Sequence, residues 1–148
     1  MRFRFVDRIT AYRPREFIAG LKTVSFEEYQ LRTPFGLPPA LPESLLLESL
    51  FQLGNWLIIL STDFRAMGVP VRVDRVEFLR PLLPGEVLRI RVNAVRFRDD
   101  GVLFDGSCSV GDELAVRGTG CVAAQAPLAE YDDPDDLRVL CGEIFPQG

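Results

Sequence analysis

The chain has 148 residues, of which 47% are hydrophobic and 26% are charged, and its net charge is −4. These values predict one globular domain with a sizeable core and argue against a protein-wide basic surface for nucleic acid. The chain contains no histidine, which excludes catalytic Ser–His and Cys–His pairs as well as histidine-ligated metal sites.

The cysteines are odd in number and form no pair with metal-ligand spacing. Such a set predicts free thiols at Cys108, Cys121 and Cys141, without a disulfide framework or a zinc site, as is usual in the cytoplasm. The first ten residues lack the apolar segment of a secretory signal. We therefore expect a cytoplasmic protein that binds neither a metal nor nucleic acid.

The N-terminal part of the chain predicts short strands followed by a long loop. Residues 2–10 alternate apolar and polar side chains, which predicts a short strand or an irregular segment that residues 12–14 interrupt. Residues 17–24 are rich in β-branched and aromatic side chains and predict a strand. Residues 25–42 contain four prolines and predict a loop without regular structure, which is either one wall of a ligand pocket or only a connector.

Residues 42–64 are highly apolar and predict a helix that is buried on nearly all sides. The helix is expected to begin near Pro42 or Glu43 and to end between residues 63 and 68. Because polar residues interrupt the apolar stretch, we expect a core helix rather than a membrane span, and no membrane partner.

Three polar residues of this helix follow the spacing i, i+4, i+7 and so share one face: Glu48, Gln52 and Asn55. A buried carboxylate costs several kcal/mol unless another group pairs with it. The predicted burial of Glu48 therefore requires either a function or a structural partner, for which Arg32, Arg80 and Gln52 are the candidates.

The segment after the helix predicts an antiparallel meander of four strands, at residues 71–78, 87–98, 102–110 and 114–124. A strong hairpin signal, Asp99-Asp100-Gly101, separates the second strand from the third. The side-chain alternation changes phase near residues 93–94, which predicts a β-bulge. One long helix wrapped by a curved antiparallel sheet is an α+β fold, and its exposed flank favours a homodimer, with a higher oligomer as the alternative.

The C-terminal segment, residues 127–148, is predicted to be an acidic tail with one short capped helix. Its acidic side chains are interpreted as a solvated surface, and they are Glu130, Asp132, Asp133, Asp135 and Asp136. The α+β domain would then comprise residues 1–126.

Four segments resemble, in the right order, the β-hydroxyacyl-acyl-carrier-protein dehydratases of fatty acid synthesis, which have the hot-dog fold. The opening FRFVDRIT resembles the family's F-x-x-V-D-R start, and GLKTVSFEEYQ resembles its K-N-V-[ST]-x-x-E-x-[FY] segment. LPPALPESLLLESLFQLGNWL resembles H-P-x-x-P-G-x-x-x-x-E-x-x-x-Q, and VEFLRPLLPGEVLRI resembles F-x-R-P-V-x-P-G-D-x-L. The resemblance covers about residues 3–120 and implies a hot-dog domain.

This resemblance implies an acyl-thioester site at a dimer interface. In the family, a loop histidine removes the α proton, a helix carboxylate of the partner subunit assists departure of the β-hydroxyl, and backbone N–H groups at the helix start polarise the thioester carbonyl. Glu48 matches the catalytic carboxylate and Gln52 the glutamine of the motif. The substrate would be carried on the phosphopantetheine of acyl carrier protein or on coenzyme A, with no other cofactor.

The sequence departs from the family at the loop and at the helix start. The family's His-Phe-Pro-Gly is replaced by Thr33-Pro34-Phe35-Gly36, and the glycine at the helix start by Glu43, whose backbone N–H is retained. We expect these five residues, with Gln52, to line the substrate site. Loss of a general base costs on the order of 10² to 10⁴ in rate.

Three functions remain open at this point. The first is a dehydratase with Glu48 as the remaining acid–base group, and the second is a thioesterase in which Glu48 activates water. The third is a non-catalytic acyl- or carrier-binding paralogue, or the subunit of a heteromer, with Glu48 as a structural residue. Four arginines are candidates to dock an acidic carrier protein or its phosphate: Arg13, Arg15, Arg32 and Arg80.

Overall fold

A computed structural model describes residues 4–25 and 40–146, so the proline-rich loop lies almost wholly outside the described residues. Two helices and six strands occur in these ranges. The helices are α1 (Glu43–Ser61) and α2 (Pro134–Ile144). The strands are β1 (Arg8–Arg13), β2 (Phe17–Thr23), β3 (Ala66–Phe78), β4 (Val87–Phe97), β5 (Gly101–Val110) and β6 (Glu113–Pro127).

The six strands form one antiparallel sheet in the order β1-β2-β4-β5-β6-β3. Helix α1 packs on its inner face, which confirms the predicted α+β fold. Helix α1 is buried on nearly all sides between residues 49 and 59, whereas its first turns are partly exposed. Leu50 and Leu57 are fully buried, and Trp56 is 2% exposed. By length and composition α1 is also apolar enough to span a membrane, but 61% of it is buried in the fold, as is usual for a core helix.

The helix approaches the sheet closely at Gly54. A Cβ atom at this position would lie 3.0 Å from the ring of Phe104 on β5. The Phe104 ring in turn packs edge-on against Phe51 of α1, with 5.5 Å between the ring centroids. The glycine that interrupts the apolar stretch in the sequence therefore makes room for an aromatic side chain of the sheet.

The predicted end of α1 and start of β3 were wrong. The helix ends at Ser61 rather than between residues 63 and 68, and β3 begins at Ala66, five residues before the predicted start. Two consecutive residues with positive φ, Asp63 and Phe64, reverse the chain at once. The Thr62 hydroxyl accepts a hydrogen bond from the Ala66 N–H (3.1 Å) and so stabilises this short turn.

The structure also corrects the first strand. Strand β1 continues through Arg13, and the chain turns only at residues 14–16 before β2, where Arg15 has a φ of 64°. The predicted β2 and the β4–β5 hairpin are confirmed. The bulge in β4 falls between Ala94 and Arg96, close to the predicted position.

The turn between β3 and β4 is held by a half-buried ion pair. Arg80 Nη2 donates to both carboxylate oxygens of Glu86 at 2.7 Å, and Glu86 also accepts the N–H of Leu83 at 2.8 Å. Leu82 in the same turn accepts a hydrogen bond from the N–H of Leu41, which immediately precedes Pro42 and the start of α1. The Arg-Pro-x-x-Pro-Gly-Glu segment, residues 80–86, therefore has a structural role: it fixes the position of the residue before the start of α1.

Replacement of Arg80 by methionine should destabilise the protein by about 1–3 kcal/mol, because the Glu86 carboxylate loses its charged partner in a half-buried position. Urea unfolding at fixed protein concentration measures the change. Arg75→Met is the matched control, since Arg75 is 73% exposed and pairs with Glu77 at the surface, and its effect should stay within about 0.5 kcal/mol. An equal loss of unfolding free energy in the two variants would contradict the structural role of the Arg80–Glu86 ion pair.

The C-terminal segment contacts the rest of the fold. Pro127 is the last residue of β6, and a short 3-10 turn, Leu128–Glu130, follows it. Asp133 caps α2 by accepting the N–H of Asp135 at 2.9 Å, as predicted. The apolar side of α2 is buried through Leu137 and Ile144, whereas most acidic side chains of the segment are exposed. The domain boundary at residue 126 stays a prediction.

Candidate functional site

Glu48 lies in the second turn of α1 and is exposed in the single chain, which corrects the predicted burial of its carboxylate. The first turns of α1 emerge from under the sheet, where Glu43 and Ser44 are exposed as well. An exposed carboxylate needs no ion pair to offset desolvation. Glu48 is therefore accessible to a ligand or a partner chain.

Gln52, one helical turn after Glu48, is the buried polar residue of this face, at 9% exposure. Its side-chain oxygen accepts the backbone N–H of Phe5 at 2.8 Å. Its nitrogen donates to Glu48 Oε1 at 3.3 Å. The third residue of the face, Asn55, accepts the N–H of Gly68 at 2.7 Å and ties α1 to β3. Of the proposed partners of Glu48, the structure shows Gln52.

The segment before β1 closes one side of this face. Phe5 and Val6 are 4% and 3% exposed, and the Asp7 carboxylate accepts the N–H of Thr23 at 2.7 Å. Asp7 also lies 3.9 Å from the ammonium of Lys22, a buried cation on the inner face of β2. The sequence offered no signal for the contact between Phe5 and Gln52, because the Phe5 donor is a backbone group.

The start of α1 presents backbone N–H groups that have no side-chain acceptor among the described residues. Pro42 is the N-cap residue and has no side-chain oxygen, and within the described residues no side chain caps this end of the helix. The N–H groups of the first turn, including that of Glu43, are of the kind that stabilise a negatively charged oxygen. Four further predicted site residues, Thr33, Pro34, Phe35 and Gly36, lie outside the described residues, as does Arg32.

The candidate arginines differ in whether their guanidinium groups can bind a carrier protein. Arg80 is engaged by Glu86 and lies 3.7 Å from Glu113, so it neither pairs with Glu48 nor presents an open cation to a carrier protein. Arg13 and Arg15 are exposed at the turn between β1 and β2. The Arg15 guanidinium stacks over Phe97 with 4.9 Å to the ring centroid. These two remain candidates for carrier docking.

The cysteines are unsuited to nucleophilic chemistry. Burial raises the pKa of the Cys108 thiol to about 12. Burial, with a smaller effect of the Asp105 and Asp74 carboxylates, raises the pKa of Cys121 to about 11. Burial also raises the pKa of the half-buried Cys141. Protonated thiols are poor nucleophiles, and within residues 4–25 and 40–146 no cluster of side chains is arranged to hold a metal ion.

The chain matches the family of FabA-like domains over residues 1–119. Two similar proteins are 3-hydroxyacyl-(acyl-carrier-protein) dehydratases. The one from Caulobacter sp. strain K31 is 34% identical over 118 residues, which cover 78% of this chain and 72% of the relative. The one from Psychrobacter arcticus is 33% identical over 127 residues, which cover 83% of this chain and 87% of the relative.

Solved structures share the fold at lower sequence identity. The thioesterase HI1161 from Haemophilus influenzae aligns with a TM-score of 0.62 at 15% identity and covers 84% of this chain and 81% of its own. This similarity confirms the hot-dog fold. Because one fold serves several activities, it shows no more than the fold.

Proposed function

The chain belongs to the family of FabA-like domains, and from this membership we propose that it dehydrates β-hydroxyacyl thioesters with Glu48 as its acid–base group. The observation that carries the proposal is the Glu48 carboxylate, which is accessible on the core helix and held by Gln52 at 3.3 Å. The relatives named above are dehydratases of this class. Since the chain has no histidine, the proton transfers fall to the carboxyl group.

One carboxyl group is sufficient for the proton balance. The ionised Glu48 takes the α proton of the thioester, and the resulting electron pair forms the Cα–Cβ double bond as the C–O bond at the β carbon breaks. The same proton then passes from Glu48 to the departing hydroxyl, so that water leaves and the carboxylate is regenerated. The N–H groups at the first residues of α1 would stabilise the charge on the thioester oxygen.

A thioesterase is the second candidate, and the shared fold with thioesterases is compatible with it. In that reaction Glu48 would remove a proton from water, and the water oxygen would attack the thioester carbon. The C–S bond would then break, and Glu48 would return the proton to the departing sulfur so that a thiol leaves. The third candidate, a binding subunit without activity, keeps the acyl site and loses the chemistry.

Incubation with β-hydroxyacyl, enoyl and acyl thioesters separates these candidates. Each acyl group is supplied on coenzyme A and on a phosphopantetheine-bearing carrier protein, while enoyl absorbance and free-thiol release are followed. Enoyl formation, or hydration of the enoyl thioester, supports the dehydratase, whereas thiol release from acyl thioesters supports the thioesterase. Binding without turnover on every substrate would overturn both enzymatic proposals.

We also propose that the protein is cytoplasmic, which its free cysteines support.

We also propose a homodimer formed along β3. This 13-residue strand is at one edge of the sheet, next to β6 only. Long edge strands present unpaired backbone groups to other chains, and β3 exposes three apolar side chains, Val69, Val71 and Phe78, at 37%, 63% and 38%. Antiparallel pairing of two copies of β3 about a two-fold axis would cover these side chains.

The mass of the protein in solution tests this dimer. Sedimentation equilibrium should give twice the chain mass, and Val71→Lys should shift the protein towards the monomer because it places a charge on the edge strand. Val95→Lys is the control, since Val95 is 60% exposed on β4, away from either edge. A wild-type monomer at all concentrations, or an equal loss in both variants, would contradict pairing along β3.

A further inference from the structure

We infer that a hollow on the outer face of the sheet binds a small anion with an apolar body, which is a carboxylate or a phosphate monoester of short to medium chain length. The hollow has a volume of about 370 Å³. The residues that matter for binding are Arg96, Arg98, Gly101, Leu103, Val122 and Ala124. Because the hollow opens on the side of the sheet away from α1, the inference does not depend on Glu48.

The floor of the hollow consists of two cross-strand pairs. Leu103 of β5 is opposite Val122 of β6, and Gly101 is opposite Ala124. Successive residues of a strand point to opposite faces. Since Val102, between the two floor residues of β5, is buried in the core at 1% exposure, the floor residues point outwards. The floor is therefore apolar, and Gly101 leaves one end of it open because it has no side chain.

Two β-bulges flank this floor at the same level of the sheet. The bulge in β3 immediately precedes the residue paired with Val122, and the bulge in β4 immediately precedes the residue paired with Leu103. Val71 is the additional residue of the first bulge, and it lines the hollow. Bulges bend a strand and increase its local twist. The floor thus lies between two strands that bend at this level, which accounts for a hollow in the face of the sheet.

Two arginines of β4 form a cationic rim. Arg96 and Arg98 are two residues apart, so they share one face of the strand at a spacing of about 7 Å. Both are exposed, and within residues 4–25 and 40–146 neither guanidinium takes part in an ion pair. The remaining charged residue around the hollow is Asp100. Two cations and one anion leave the hollow with a net positive charge, on a chain whose net charge is −4.

Hydrogen bonds hold this rim in place before a ligand binds. The N–H of Arg98 donates to the Gly101 carbonyl at 3.0 Å. Gln125 of β6 ties the tip of the hairpin to the sheet, because its N–H donates to the Asp100 carbonyl at 2.9 Å and its side-chain nitrogen to the Arg98 carbonyl at 2.5 Å. A site that is fixed in advance loses less conformational entropy on binding.

The rim and the floor together determine the class of ligand. A carboxylate or a phosphate pairs with a guanidinium group through two parallel hydrogen bonds. A hydrocarbon chain attached to it would cover the Leu103–Val122 pair and remove this apolar area from water. Pairing of two copies of β3 extends the sheet within its own plane, so the proposed dimer would leave the hollow accessible.

Titration of the full chain with octanoate tests the inference, because octanoate joins a carboxylate to an apolar chain. Backbone ¹H–¹⁵N resonances should shift saturably, with the largest changes at Gly101, Leu103 and Val122. Octanamide lacks the charge and acetate lacks the chain, so each should bind at least about 10-fold more weakly. Octyl phosphate is titrated in parallel, and the tighter of the two anionic probes identifies the preferred head group, either result being in agreement with the inference.

The double variant Arg96→Met and Arg98→Met removes the cationic rim and should weaken octanoate binding at least about 10-fold. Arg89→Met is the matched control, since Arg89 is exposed on the same strand and lies outside the hollow. Its affinity should stay within about twofold of the wild-type value. Shifts that do not saturate, shifts confined to α1, or equal weakening in the double variant and the control would overturn the inference. No thioester is turned over in this experiment, so its outcome is independent of the proposed function.

Discussion

Glu48→Gln should lower the turnover of the active thioester by on the order of 10² to 10⁴ while the fold is retained. The substitution keeps the size of the side chain and leaves an oxygen that can accept the Gln52 N–H, which is 3.3 Å from the carboxylate in the wild-type protein. It removes the only feature that the proposed chemistry requires of this residue, the ability to take up and return a proton. Steady-state kinetics with the best substrate of the panel measure the loss, and circular dichroism verifies the fold.

Glu143→Gln provides the control for the loss of one negative charge. Glu143 is on α2, its side chain is 64% exposed, and it forms a surface ion pair with Arg4 at 3.7 Å. Its turnover should match the wild-type rate. Full activity in Glu48→Gln would remove Glu48 from the mechanism, because the variant cannot act as an acid or base near neutral pH. Retained binding with lost turnover would assign the residue to the chemistry rather than to the fold.

Phe104→Ala should destabilise the protein by about 3–5 kcal/mol, the usual cost of a large cavity in a packed core. Phe104 is 1% exposed and lies between Gly54 and Phe51 of the central helix. The glycine opposite has no side chain that could move into the space. Domains of this size are stable by only about 5–15 kcal/mol, so about a fifth or more of the total would be lost.

Urea unfolding, followed by circular dichroism at fixed protein concentration, measures this loss. Tyr131→Ala removes an aromatic ring that is 62% exposed, and it should change the stability by no more than about 0.5 kcal/mol. A loss below about 1 kcal/mol in Phe104→Ala would show that helix and sheet collapse onto the vacated space, and that Gly54 does not determine their distance.

Much of the fold could be predicted from side-chain patterns. The apolar stretch predicted α1, and the alternating strands with their turn residues predicted the meander of β4, β5 and β6, including the bulge in β4. The predicted place of β3 as the first strand of that meander was wrong, because β3 crosses to the other edge of the sheet and pairs with β6. The start of β3 was missed because the reversal after α1 uses positive φ at Asp63 and Phe64. Neither residue is a glycine, so the sequence contained no turn signal there.

The candidate site was predicted less completely. Helical spacing placed Glu48 and Gln52 on one face, and they are hydrogen-bonded. Glu48 was predicted to be buried, but it is exposed and Gln52 is the buried residue. The burial of a residue on α1 depends on how far the sheet covers the helix, and the composition of the helix does not reveal this. Two tertiary contacts could not be predicted: the Phe5 N–H on Gln52 and the engagement of Arg80 by Glu86.

Because the cysteines are buried or half-buried, the reactivity of their thiols measures whether the protein is folded. A reagent that reacts with thiolates meets, in the folded chain, two thiols whose pKa burial raises to about 12 and about 11, and the half-buried Cys141. Unfolding exposes all three and returns their acidity to that of a free thiol. A thiol-reactive dye that measures the thiol released from a thioester will therefore also react with unfolded protein. In the absence of substrate, the rate of this reaction measures how often the core opens.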